Sequence, residues 1–141
     1  METRIARSDC WTDSLDSFIE LTRHRPFEWG THDCCLFAAD AVYAMTGIDP
    51  AAPLRGEYAS MRGAIRVIDV NGGMEVMCDR LAAAVGMRRV PPDHAGRGDI
   101  AMVENPLMDA LGVIVGRVVA CAGQDGLVFM PRSSIIAVWK V

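Results

Sequence analysis

An α+β fold, with helices in the first two-thirds and an antiparallel sheet in the last third, is predicted for this 141-residue chain by three features of its sequence. Apolar residues recur at helical spacing as far as Gly86. From Met87 onward the texture changes to β-branched runs cut by turn residues. Between the ends lies one segment, Cys34 to Met45, that is apolar nearly all round and so belongs at the centre of a core. Helices first and strands second is the α+β order, and the length suits a single domain, 1–141, with one core.

The first helix places Trp11, Leu15, Phe18, Ile19 and the methyl of Thr22 on one stripe, and Arg25-Pro26 closes it. The second begins after Asp33 or Thr31, both residue types that cap a helix start, and runs to Met45 or Thr46. Gly47 then takes the left-handed terminating conformation. Tyr58, Met61, Ala64, Ile65 and Ile68 give a short third helix. After Gly72-Gly73, the set Met74, Met77, Cys78, Leu81 and Val85 gives a fourth. Six strand-like runs follow: GMRRV, GDIAMVE, LGVIVG, VVACAG, GLVFMP and IIAVWKV. Gly116-Arg117, Gln124-Asp125-Gly126 and Arg132-Ser133 are short connections, so consecutive strands are expected to pair as an antiparallel meander packed on the buried second helix.

A net charge of −4, with basic residues never three together, leaves no electrostatic footprint for nucleic acid. All the basic residues but Lys140 are arginine, a skew expected of a GC-rich genome. The opening METRIARSDCW has no apolar signal core, and no stretch supplies a membrane span, so the expectation is a protein made in the cytosol with no segment in a bilayer. The 5 cysteines are odd in number and irregular in spacing, with no Cys-x-x-Cys pair, which argues for reduced thiols rather than a disulfide framework or a zinc site.

The stretch Trp29-Gly-Thr-His-Asp-Cys-Cys35 carries the chemistry. A helix N-terminus favours a thiolate through its free N–H groups and macrodipole, and Cys34, directly after the capping Asp33, has that position. A cysteine hydrolase also needs an imidazole within reach of the sulfur and donors for the oxyanion.

Asp33-Cys34 at a buried helix start, preceded by Trp29-Gly30 and followed by Gly98-Asp99 before a strand and then the Gly-centred strand ALGVIVG, resembles the NlpC/P60 branch of papain-like cysteine peptidases. The pattern W-G-x-x-D-C, then T-G-x-D, then G-x-Y is similar to an uncharacterised phage family of that clan found among tail genes. The resemblance covers Trp29 to the C-terminus and implies Cys34 as the nucleophile position. It implies the base at the position held here by Ala110, and the third, orienting residue near Cys121. Trp29 would line the rim of the cleft, with His32 and Asp33 beside it. Loss of the base costs about 10²- to 10⁴-fold in hydrolysis, so the scaffold is expected to survive without the reaction.

Two other histidines come into question as bases. His32 precedes Cys34 by two residues and points along the loop leading into the helix, whereas His94, in the loop PPDHAGRGD, is the substitute with more freedom to reach the helix mouth. His24, beside Arg23 and Arg25, reads as ordinary charge complementarity at a helix end. A metal held by His32, Cys34, Cys35 and Cys121 is disfavoured, because neighbouring helical residues diverge by about 100°. No cofactor is expected.

Three functions are open on this reading. The first is a degenerate NlpC/P60-like structural or assembly component of a phage tail, made in the host cytoplasm and located in the virion, with other tail proteins as partners. The second is an active peptidase or amidase with Cys34 as nucleophile and peptidoglycan as substrate. The third is an unrelated cytosolic α+β domain whose Asp-Cys is simply a capped helix start.

Overall fold

The computed structural model describes residues 5–141. Four helices come first: α1 (Trp11–Thr22), α2 (Cys34–Thr46), α3 (Met61–Val70) and α4 (Met74–Ala84). Six strands follow: β1 (Arg88–Val90), β2 (Ile100–Val103), β3 (Ala110–Ile114), β4 (Val118–Gly123), β5 (Gly126–Pro131) and β6 (Ile135–Lys140). The α+β class, the central helix and the C-terminal antiparallel meander are as the sequence predicts.

Local chemistry sets the helix limits. Asp33, extended at φ −103° and ψ −178°, caps α2 by accepting from the Leu36 N–H at 3.0 Å. A cap of this kind is worth about 1 kcal/mol. Gly47, at φ 77°, ends α2 in the left-handed conformation, and its N–H returns to the Tyr43 carbonyl. Helix α3 starts later than its apolar spacing suggests. Ser60 caps it by accepting from the Gly63 N–H at 3.1 Å, which leaves Tyr58 outside in the preceding loop and free to point elsewhere.

The sheet order is β1-β6-β2-β3-β4-β5, with every pairing antiparallel. Strands β2 to β5 form the meander. The Arg132-Ser133 connection differs from a hairpin: residues Arg132–Ser134 make a 3-10 turn that carries the chain back across the sheet, and β6 inserts between β1 and β2. Its residues explain the destination, because Ala137, Val138 and Trp139 are consecutive and all buried, as a strand covered on both faces requires.

Helix α2 lies between α1 and the sheet. Phe37, Ala38 and Ala41 pack with Leu15 of α1 and with Leu111, Val113 and Ala120 of the sheet. On its other side Leu36 and Ala39 meet Leu54 and Met77. The sheet face turned away from α2 holds a smaller cluster that includes Val103, Ile114, Val119, Cys121 and Val138, with Ala110 packed against it.

Asp99 of the Gly-Asp motif ties the two ends of this arrangement together. Its fully buried carboxylate accepts from Arg7 at 3.0 Å, Lys140 at 3.3 Å, the Val141 N–H at 3.2 Å and the Gly96 N–H at 2.9 Å. Arg7 in turn stacks over Trp11 at 4.0 Å. Gly98 at φ +89° turns the chain into β2, and a Cβ there would meet Trp11 Cζ3 at 2.8 Å.

Candidate functional site

Cys34 is the first residue of α2 and is 7 % exposed. The preceding loop is fixed by its own backbone: Glu28 and His32 exchange N–H···O bonds at 3.0 and 2.8 Å, and Gly30 turns at φ 82°. The buried Asp33 carboxylate holds the loop to the helix. Besides Leu36 N–H it accepts from the Gly30 N–H at 3.0 Å and from the Tyr58 hydroxyl at 2.7 Å. Burial, and then the neighbouring Asp33 charge, raises the Tyr58 hydroxyl above its ordinary pKa, so Tyr58 stays the donor in this bond.

Cys34 lines a small cavity of about 10 Å³, walled in part by Trp29, Tyr58, Met77 and Met108. Its thiol is held below the ordinary cysteine value, chiefly because the Cys35 thiol donates to it. Burial opposes this, and the backbone N–H groups of Leu111 and Cys35 assist it. Cys35 is pushed up by the same bond and by burial, while burial pushes Cys78 and Cys121 up to about 12.

The residues singled out from the sequence fall into two groups. Trp29, Asp33 and Cys34 converge on the cavity. His32, His94, Ala110 and Cys121 do not line it. Strand β3 does pack against α2, through Leu111 and Val113, but Ala110 and Cys121 belong to the sheet face turned away from α2. His94 sits exposed in the 3-10 turn Pro92–His94. Among the described residues no three His, Cys, Asp or Glu side chains are placed to hold a metal ion together.

His32 is fully buried, with its ring 5.8 Å from that of Phe37 at an interplanar angle of 79°, and neither ring nitrogen has a hydrogen-bond partner. Phe37 stacks on Phe18 of α1, so this imidazole faces the α1–α2 seam rather than the Cys34 sulfur. Burial first, and the Arg25 charge second, lower its pKa below 6.5, against weaker opposing effects of Asp40 and Asp33. As pH falls through 6.5 the unfolded chain takes up a proton that the folded chain refuses, so this site's contribution to stability is present above that pH and lost below it. His32→Leu is expected to flatten the stability–pH curve below pH 6.5 in urea denaturation. An unchanged acid limb would show that His32 does not govern it.

Sequence reasoning missed two members of the site, Tyr58 and Met108. Tyr58 stands in the G-x-Y triplet, where its apolar spacing with Met61 disguised it as a helix residue. Met108 comes from the loop between β2 and β3, whose placement no local signal gives.

No helix among the described residues is long and apolar enough to cross a membrane. The model of a family described as a domain of unknown function, DUF6950, matches residues 6–141. No curated protein and no solved structure matches the chain. With its family model running from the first turn before α1 to the last residue, the chain belongs to the DUF6950 family.

Proposed function

We propose that this chain is a non-catalytic NlpC/P60-like domain that serves as a structural or assembly component of a phage tail. The observation that carries the reading is the surroundings of Cys34: a thiol at the head of the buried helix, in the motif order of a cysteine peptidase, with no imidazole in the wall of its cavity. A hydrolase of this type moves the thiol proton to a base and later returns it to the leaving group, and here no side chain at the sulfur can do either. The cavity also has room for about one water molecule, not for a peptide. An assembly role is supported by the outer strand β5, whose Val128 and Phe129 are exposed and which carries no charged residue. Apart from the Leu127 N–H, which donates to the Arg23 carbonyl at 2.9 Å, such an edge offers backbone groups to a partner strand.

One observation favours the enzymatic alternative, a peptidoglycan peptidase or amidase. The Cys34 thiol, at the first position of α2, is held below its ordinary value, as a nucleophile would be. The two readings part experimentally. Purified protein is expected to leave muropeptides intact, and mass spectrometry of isolated tails is expected to detect the chain. Muropeptide cleavage that disappears in Cys34→Ala would replace the assembly reading by the enzymatic one, and tails lacking the chain would remove its structural part.

A further inference from the structure

We propose that β5 is a self-pairing edge, and that two copies of this chain join antiparallel about a two-fold axis at Phe129 to make one continuous sheet. Backbone direction along β5 is fixed at one point: the Leu127 N–H turns away from β4 and donates to the Arg23 carbonyl at 2.9 Å. The two sides of a strand alternate. The N–H and C=O groups of Phe129 and the C=O of Pro131 therefore face outward with Leu127, while those of Val128 and Met130 face β4.

A two-fold axis at Phe129 matches these groups. It sets Phe129 opposite Phe129 of the second copy, so that the pair exchanges both N–H···O bonds, and it sets Leu127 opposite Pro131 of the second copy. The Leu127 N–H then meets a carbonyl. The donor that the edge lacks, at Pro131, is missing only at the outer end of the pairing, where water reaches the Leu127 carbonyl. The Pro131 carbonyl accepts from the Ser134 hydroxyl at 2.6 Å and keeps a second lone pair for the new bond.

The side chains point to the same occupant. Phe129, 42 % exposed, is the cross-strand neighbour of the buried Ala120, so it carries the α2-covered face of the sheet out to the edge. The axis sets the two phenylalanines side by side. Strand β5 holds no charge to repel its own copy, and the residues flanking it are opposite in charge: Asp125 before it and Arg132 after it, both exposed. Antiparallel pairing brings Asp125 of each copy to the end where Arg132 of the other stands, whereas parallel pairing would set like charge beside like.

Closing the pair moves the Leu127 N–H from the Arg23 carbonyl to that of Pro131 in the second copy, one hydrogen bond replacing another. Residues 23–26 are all exposed. Among the described residues this connection is tied to the β4–β5 hairpin by one other backbone bond, from the Phe27 N–H to the Gln124 carbonyl at 3.3 Å, so it moves aside at small cost. The dimer needs neither a tail nor any particular state of Cys34, so it stands or falls apart from the function proposed above.

The test uses the full chain with the exposed Cys10 changed to Ser. A small interface reaches only micromolar affinity, and sedimentation equilibrium at about 10–200 µM is expected to show monomer and dimer together. Phe129→Lys sets two like charges directly opposite and is expected to weaken the dimer at least about tenfold, with the circular dichroism spectrum unchanged. Phe129→Cys tests the axis itself. Position 129 opposes its own copy at a Cα separation of about 5.5 Å, within disulfide range, so the oxidant diamide is expected to cross-link this variant. Val128→Cys, diagonal to itself at about 7–8 Å, is expected to remain uncross-linked. A chain that stays monomeric throughout this range leaves the edge to a strand of another protein and overturns the proposal. So does a dimer indifferent to Phe129→Lys, or one cross-linked as readily through position 128 as through 129.

Discussion

Asp99→Ala is expected to lower the stability of the fold by about 3 kcal/mol, the lower end of what breaking a buried ion pair costs. Asp99 is fully buried and accepts from four donors drawn from the N-terminal arm, the loop before β2 and the C-terminus. Removing the carboxylate strands the N–H groups of Gly96 and Val141, while the Arg7 and Lys140 side chains, 22 % and 42 % exposed, turn to water and soften the loss. Urea denaturation checks this through the midpoint at constant slope. A loss below about 1 kcal/mol would mean that Asp99 merely fills space and does not join the chain ends.

Gly30→Ala is expected to cost a similar amount, about 3 kcal/mol, for a different reason. Gly30 stands at φ +82°, and a Cβ there would run into the Tyr58 carbonyl oxygen and lie 3.2 Å from Ala59 Cα. A left-handed alanine costs about 1 kcal/mol, and forcing atoms into a packed site adds about 1–3 kcal/mol. The obstacle is backbone, so no rotamer change relieves it. For a domain of this size the combined loss lowers Tm by about 10 °C. The Gly30 N–H also donates to Asp33, and Tyr58 donates to the same carboxylate, so this substitution should disturb the head of α2 as well. An unchanged melting curve would show that the Trp-Gly pair has no such structural role.

These two residues show what kind of information the sequence holds. Both sit in motifs that are visible by inspection, Trp29-Gly30 and Gly98-Asp99, yet the reason each is required is a contact with a distant segment. The helices were legible because periodic burial leaves a local trace, and the α2 boundaries because Asp33 and Gly47 act on their immediate neighbours. Strand order was not legible in the same way. Short connections suggest neighbours in space, but β6 goes to an interior position between β1 and β2 because its unbroken run Ala137-Val138-Trp139 needs cover on both faces. Pro131 at the end of β5 fits an outer strand, where its missing N–H costs no ladder bond.

The candidate site divides similarly. Asp33 and Cys34 announce themselves as a cap and a helix-head thiol. Tyr58 could be found only once the Ser60 cap had shortened α3, and Met108 only once the loop between β2 and β3 had been placed. His32 is opaque to sequence reasoning. A histidine beside a cysteine suggests chemistry, but burial and the pull of Phe37 turn it into the α1–α2 seam, where it finds no polar partner. The register across β3 and β4 likewise turns Ala110 and Cys121 to the sheet face away from α2.

The central claim is that the Cys34 sulfur has no imidazole to accept its proton, and the pH dependence of its alkylation tests this most directly. Iodoacetamide labelling of Cys34, followed by peptide mass spectrometry from pH 5 to 9, is to be compared between the natural chain and a variant in which His24 and His94 are replaced by alanine and His32 by leucine. The account predicts superimposable profiles, each following the titration of the sulfur alone. A reactive limb at low pH that vanishes with the histidines would reveal a thiolate–imidazolium pair and contradict it.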